Sequence, residues 1–208
     1  MTLPRLYPIL DIDVLTARGI ALDSAARALR DASTTLLQYR NKSGSPQAIL
    51  RDAEVIRNAF AGVDCRLIMN DRADLAVLAG FGGIHVGQDD LSPADSRRIV
   101  GTDRWVGVST HNDAQVLLAD QTDADYIAVG PVFATGTKLD AEPVIGLEGV
   151  RRARTLTAKP VVAIGGITRA NARSVIEAGA DSVAVISALL EAGQPLEKLV
   201  RDFLKNLG

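Results

Sequence analysis

Short apolar runs alternate with segments of helical spacing along the whole chain, and this alternation limits the possible folds more than any other feature. The runs read as strands over Leu6–Asp11, Leu36–Arg40, Arg66–Asn70, Gly83–Val86, Trp105–Ser109, Tyr126–Val129, Pro160–Ile164 and Ser182–Ile186. They are apolar on both faces, as strands covered on both sides must be. Helical spacing fills the gaps over Asp23–Asp31, Pro46–Phe60, Arg72–Ala79, Pro93–Val100, Asn112–Asp120, Leu147–Thr157, Arg169–Ala178 and Leu189–Leu204. Ser45-Pro46 and Ser92-Pro93 each set a capping hydroxyl before a proline suited to the first helical position. Gly80 and Gly179 stand where helix stops are expected.

About eight such units with no linker between them predict an α/β fold, a single (β/α)8 TIM barrel spanning residues 1–208 as one domain. An open doubly wound sheet with the same alternation is the alternative. Polar and glycine residues cluster at the C-terminal ends of the strands, where barrel active sites lie, and this favours closure.

The composition narrows the function classes. A net charge of -2 lacks the basic excess of an electrostatic nucleic-acid binder, although it leaves room for a local cationic pocket. No apolar stretch reaches the roughly 20 residues of a membrane span. Residues 1–5 do not begin a secretory signal, so a cytoplasmic enzyme is expected. The single cysteine, Cys65, precedes an apolar run and reads as a packed small residue. With only 4% aromatic residues, the core must be mainly aliphatic.

The chemistry-bearing residues gather at the strand ends. Alternation puts Gln38, Arg40 and Lys42 on one face of the second strand and its extension, an arrangement suited to a polyphosphate. A solvated loop with two basic residues is the bland alternative. The third strand ends in Asn70-Asp71 and the fourth leads into Gly87-Gln88-Asp89-Asp90. Asp71 and Asp90 follow adjacent strands and together suit a hard cation such as Mg²⁺, held largely through substrate phosphates and water. The alternative for Asp71 is a helix cap, and Asp89 reads as a solvated turn acid. Ser109 could donate to a phosphate, but no nucleophile elbow surrounds it. His85 reads as a satisfied core or rim histidine, and His111 as a residue at a helix start. The loop Thr135-Gly136-Thr137-Lys138 offers two hydroxyls, backbone amides and an ammonium without Walker A spacing. Gly165-Gly166 after the seventh strand and Ile186-Ser187 after the eighth fit the phosphate site that barrels build there.

Taken together, Gln38-Tyr39-Arg40-Asn41-Lys42, Met69-Asn70-Asp71, Gly83 to Asp90, Gly107-Val108-Ser109, Thr135 to Lys138, Gly165-Gly166-Ile167 and Val185 to Ala188 resemble the thiamine-phosphate synthase (thiamine-phosphate pyrophosphorylase) family. The resemblance runs over nearly the whole chain, in order. It implies hydroxymethylpyrimidine diphosphate and a thiazole phosphate, plain or carboxylated, as substrates, with release of diphosphate. It places the pyrimidine diphosphate on Gln38, Tyr39, Arg40, Asn41, Lys42, Asn70, Ser109 and Lys138, and Mg²⁺ on Asp71 and Asp90. The thiazole phosphate falls to Thr135, Gly136, Thr137, Gly166, Ile186 and Ser187. Arg40, Lys42 and Lys138 would stabilise the leaving diphosphate. Tyr39, Asn41 and Gly136 depart from the commoner family residues. The nearest rival is a paralogous barrel that aromatises a carboxythiazole phosphate and lacks the basic and acidic set. A sensor of phosphorylated metabolites and another phosphosugar barrel are further readings. Whether copies of the chain associate stays open.

Overall fold

The computed structural model describes residues 2–136, 142–191 and 193–208. Strand β1 (Leu6–Asp11) is followed by α1 (Ile12–Ala17) and α2 (Leu22–Asp31), then β2 (Leu36–Arg40) by α3 (Pro46–Ala59) and β3 (Arg66–Asn70) by α4 (Ala73–Leu78). The alternation continues through β4 (Gly83–Val86), α5 (Pro93–Val100), β5 (Trp105–Thr110), α6 (Asp113–Asp120), β6 (Tyr126–Val129) and α7 (Gly146–Leu156). It ends with β7 (Val161–Ile164), α8 (Ala172–Glu177), β8 (Ser182–Val185), a 3₁₀ turn (Ser187–Leu189) and α9 (Leu196–Leu207). The strands are parallel and close in sequence order, with β8 pairing β1 through Leu6 opposite Val183. The expected (β/α)8 barrel is therefore present, and the open sheet is excluded.

Two apolar layers hold this arrangement. Outward side chains such as Leu37, Met69, Ile84, Val106, Ile127 and Val183 pack on the helices. Inward ones, including Ile9, Leu36, Ile68, Ala128, Val162 and Ala184, fill the barrel interior, and Leu3 joins the same cluster. Cys65 packs half-buried against the outer layer, as expected, and burial with the neighbouring Asp64 pushes its thiol up to about 12. Among the described residues, no helix is long and apolar enough to cross a membrane.

Two expectations need correction. Helix α1 was not anticipated. It follows β1 directly, with no turn signal between them, and Asp11 caps it by accepting from Val14 N at 3.1 Å. The helix expected over Leu189–Leu204 is a 3₁₀ turn followed by a later helix. Gly193 adopts φ +74°, and Pro195 precedes the first turn of α9, where its missing N–H costs nothing.

Candidate active site

A cleft of about 790 Å³ opens at the C-terminal ends of the strands. Its wall includes Lys42, Asp90, Ser109, Thr135, Gly166, Ile186 and Ser187, all singled out from sequence. Arg18, Glu142 and Glu191 also line it and were not.

On one side, three loops bring Lys42, Asp71 and Asp90 to a single spot. Lys42 Nζ lies 2.5 Å from Asp71 Oδ2. Asp71 sits at φ +60°, a left-handed conformation that aspartate tolerates better than most residues, and its N–H donates to His85 O at 2.8 Å. It does not cap α4, whose N-cap is Arg72 with no side-chain bond. The carboxylate instead meets Lys42 and Asp90, and Asp71, like Gln38, Arg40 and Asn70, is not among the residues that line the cleft. Asp90 accepts from Gly87 N at 2.8 Å, and a Cβ at Gly87 would stand 2.9 Å from that same oxygen. Burial raises the Asp71 carboxyl above its ordinary range, and the hydrogen-bonded neighbour Asp90 raises it further against the pull of Lys42. For Asp90 burial also acts upward, but Asp71, the Gly87 N–H and Lys42 outweigh it, and its carboxyl ends below the ordinary range. Two carboxyl groups this close titrate as a pair, with the shared proton favouring Asp71. Among the described residues, no group of three or more His, Cys, Asp or Glu side chains gathers as a metal cluster.

Arg40, at the end of β2, is pinned by an ion pair to Asp11, which is 2% exposed. Asp11 therefore anchors both α1 and the Arg40 guanidinium, a role that sequence did not reveal. Asn70 ends β3 beside these groups. Gln38 lies deeper, buried in the interior, and donates from Nε2 to Tyr7 Oη at 3.1 Å. Ser109 Oγ is 2.9 Å from His85 Nε2, and the Ser109 carbonyl accepts from Gln88 Nε2 at 2.6 Å. His85 is a buried, hydrogen-bonded histidine, as expected. His111 lines the cleft at the start of α6, and its Nδ1 is 2.6 Å from Gly130 O.

Tyr39 and Asn41 do not reach this site. Strand alternation turns Tyr39 outward toward α3, where it is 1% exposed and donates to Asp52 Oδ2 at 2.6 Å. Burial and then the Asp52 carboxylate push its phenol well above the ordinary range. Asn41 donates to Tyr39 Oη at 3.1 Å and accepts from Gly44 N at 2.7 Å. Both residues brace the β2–α3 turn.

The opposite wall is built from β6, β7 and β8. Gly165 and Gly166 adopt φ +101° and +61°. A Cβ at Gly165 would stand 2.5 Å from Pro131 Cβ, and one at Gly166 would stand 2.5 Å from Ala134 O. The β6–α7 loop is stitched to them by Val132 N to Ile164 O at 2.9 Å and Phe133 N to Gly165 O at 3.0 Å. The glycine pair thus lets two loops pass at contact distance while leaving backbone at the cleft surface. Ser187 opens the 3₁₀ turn, whose first amides lack intrahelical acceptors. Gly136 is exposed, and a Cβ there would meet nothing within 4 Å. Thr137 and Lys138 lie outside the described residues.

Comparison with known proteins gives this mouth a context. A family profile described as thiamine monophosphate synthase matches residues 6–189. The thiamine-phosphate synthase of Koribacter versatilis is 53% identical over 192 residues, which cover 91% of this chain and 90% of that protein. The Chloroflexus aurantiacus thiamine-phosphate synthase is 43% identical over 183 residues, covering 86% and 84%. Among solved structures, the thiamine phosphate pyrophosphorylase of Pyrococcus furiosus superposes with a TM-score of 0.86 at 31% identity, covering 98% of this chain and 95% of that one. The chain belongs to the thiamine monophosphate synthase family.

Proposed function

We propose, from family membership and the geometry of the mouth, that this chain is a thiamine-phosphate synthase. It transfers the hydroxymethylpyrimidine group from its diphosphate to the nitrogen of a thiazole phosphate and releases diphosphate. The observation that carries the reading is the convergence of Asp71 with Lys42 and Asp90, which line the cleft.

The charges at that edge define what can bind. Asp11, Asp71 and Asp90 face Arg40 and Lys42, three carboxylates against two cations. Both of these cations are thus paired, which leaves a diphosphate little uncommitted positive charge from Arg40 and Lys42. Asp71 and Asp90 would hold a divalent cation that adds positive charge here, and carboxylate oxygens with substrate phosphate are the donor set that Mg²⁺ accepts. The paired carboxyls, with Asp71 driven up by burial and then by Asp90, are the feature that fits such an ion. Bound Mg²⁺ supplies Lewis-acid neutralisation of the leaving diphosphate.

The protein's own groups do the rest. Arg40, already fixed by Asp11, and Lys42 would meet the negative charge that accumulates as the carbon–oxygen bond breaks, and the family resemblance assigns Lys138 the same task. The departing bond leaves a pyrimidine-stabilised cation, which the thiazole nitrogen attacks with its own lone pair. No base is needed to activate that nucleophile. Gln38, Asn70 and Ser109 hold the pyrimidine diphosphate. Thr135, Gly136, Thr137, Gly166, Ile186 and Ser187 hold the thiazole phosphate, which anchors and does not react. The cytoplasm is the proposed compartment.

Steady-state assays with both substrates, with and without Mg²⁺, test the reading. Thiamine phosphate should form only with all three present. Product formation from carboxythiazole phosphate alone, or phosphate binding without turnover, would overturn it.

A further inference from the structure

Beneath the cleft, five polar side chains from five strands form one hydrogen-bonded chain across the barrel interior. Gln38 Nε2 donates to Tyr7 Oη at 3.1 Å. Tyr7 Oη lies 3.0 Å from Tyr126 Oη, Tyr126 Oη lies 3.0 Å from His85 Nδ1, and His85 Nε2 lies 2.9 Å from Ser109 Oγ. The rings also pack on one another. Tyr7 meets Tyr126 edge-on at 6.1 Å between centroids, and His85 stacks on Tyr126 at 5.6 Å. Gly107 makes this possible, because a Cβ there would overlap the Tyr126 ring. Tyr7 and Tyr126 are 1% and 0% exposed, and burial drives both phenols far above their ordinary range, so they act as hydroxyls and not as phenolates.

Each tyrosine hydroxyl has one proton to give, and an imidazole can accept at one ring nitrogen while donating from the other. The direction of one link therefore fixes the next. With Gln38 donating, Tyr7 gives its proton toward Tyr126 and Tyr126 gives its proton to His85 Nδ1. The His85 proton then sits on Nε2 and points at Ser109. The Ser109 hydroxyl keeps its own proton free for the cleft, and Gln38 keeps Oε1 as an acceptor. Turning the Gln38 amide over reverses every link and both ends together. A half-reversed chain would leave two protons, or two lone pairs, facing each other in a buried site.

We propose that Tyr7, Tyr126 and His85 are positioning residues that lock the two ends of this chain into opposite roles, acceptor at Gln38 and donor at Ser109, to read an aminopyrimidine ring. The amino group of such a ring donates to Gln38 Oε1, and a ring nitrogen accepts from Ser109 Oγ. An oxo-pyrimidine presents the reverse pattern and is matched only if the Gln38 amide turns over and the whole chain reverses with it. The inference rests on the reading that Gln38 and Ser109 meet the pyrimidine.

Tyr126→Phe cuts the chain while keeping the ring. It should lower kcat/KM for hydroxymethylpyrimidine diphosphate by about tenfold, the scale of one buried hydrogen bond. KM for thiazole phosphate should stay unchanged. In a Ser109→Ala background, where the end of the chain is already gone, the same substitution should change kcat/KM less than about twofold. Should Tyr126→Phe fail to fold, Tyr7→Phe cuts the same chain one link away and must give the same pattern. ¹⁵N shifts of His85 should report the proton on Nε2 in the parent and a mixture of tautomers in the variant. If Ser109→Ala and Gln38→Ala leave pyrimidine kinetics untouched, the site reading falls and the inference with it. If Ser109→Ala is impaired but Tyr126→Phe is neutral, or equally damaging in both backgrounds, the inference alone is overturned.

Discussion

Asp71→Asn separates the catalytic role of the carboxylate pair from its cost to the fold. Asparagine also tolerates the left-handed backbone, so φ +60° and the Asp71 N–H bond to His85 O survive the change. Two stability effects then compete. Lys42 loses its partner, but with 47% of its side chain exposed that pair contributes at most about 1 kcal/mol after screening. Against this, the Asp71 carboxyl sits above its ordinary 3.8, through burial and then Asp90. A raised acid means that the folded chain holds the proton more tightly than the unfolded chain. Stability is therefore lost as pH rises from 3.8 through the raised value, and an ionised Asp71 burdens the fold at neutral pH. The amide removes that burden. The lowered Asp90 works in the opposite sense, with stability present above 3.8 and lost as pH falls through its depressed value. The variant should thus melt no more than about 4 °C below the parent at pH 7 without divalent cation, the shift that 1 kcal/mol makes in a chain of this size. Turnover, by contrast, should fall about 10²- to 10³-fold, the usual loss when a preorganised electrostatic element is removed. Thermal melts with and without Mg²⁺, alongside steady-state kinetics, test both halves. Mg²⁺ should raise the parent's melting temperature and leave the variant's unchanged. Near-normal turnover at limiting Mg²⁺, or an equal Mg²⁺-induced shift in both proteins, would refute the metal assignment.

Asp11→Asn strands the Arg40 guanidinium beside a neutral amide, and should lower stability by about 3 kcal/mol in denaturant melts; an unchanged midpoint would show that the pair is not holding Arg40. Gly166→Ala forces a side chain into φ +61° and against Ala134 O, so KM for thiazole phosphate should rise about tenfold or more as the two loops separate. Unaltered KM would remove Gly166 from the phosphate wall. Lys138→Ala should slow the pyrimidine half-reaction about 10²-fold and leave thiazole phosphate affinity nearly intact in titration calorimetry. A large affinity loss would move Lys138 to the anchoring side.

The strands were readable almost to the residue because a parallel strand buried on both faces has to be apolar throughout, and few other segments are. Helix α1 left no such trace, since it follows β1 without an intervening turn and only the Asp11 cap marks its start. The late start of α9 was visible in Gly193 and Pro195, but the apolar spacing on either side of them overrode that signal. At the site, alternation correctly set Gln38 and Arg40 on one face. The same alternation argues against Tyr39 as a ligand, and the family-like run of residues concealed this. The Arg40–Asp11 pair and the interior chain could not be read at all. Tyr7 and Tyr126 are 119 residues apart, and only barrel closure brings their hydroxyls to 3.0 Å.

The two sides of the mouth differ in how their charge is balanced, and this difference matches what each substrate must do. On the side proposed for the pyrimidine diphosphate, two cations among the described residues are already paired with carboxylates, Arg40 with Asp11 and Lys42 with Asp71. Such pairs hold their geometry but leave little free positive charge, so affinity for a diphosphate there depends on an added cation. That would suit a group that must leave, because a cation held by Asp71 and Asp90 would supply its neutralisation where the charge develops. On the side proposed for the thiazole phosphate the wall offers backbone and hydroxyls around Gly166 and Ser187, dipoles suited to holding a phosphate without cleaving it. Between them the interior chain fixes donors and acceptors in a site shielded from water, where a misplaced proton is costly. One closed sheet supplies all three, since each strand end contributes to the mouth while its inward residues contribute to the floor.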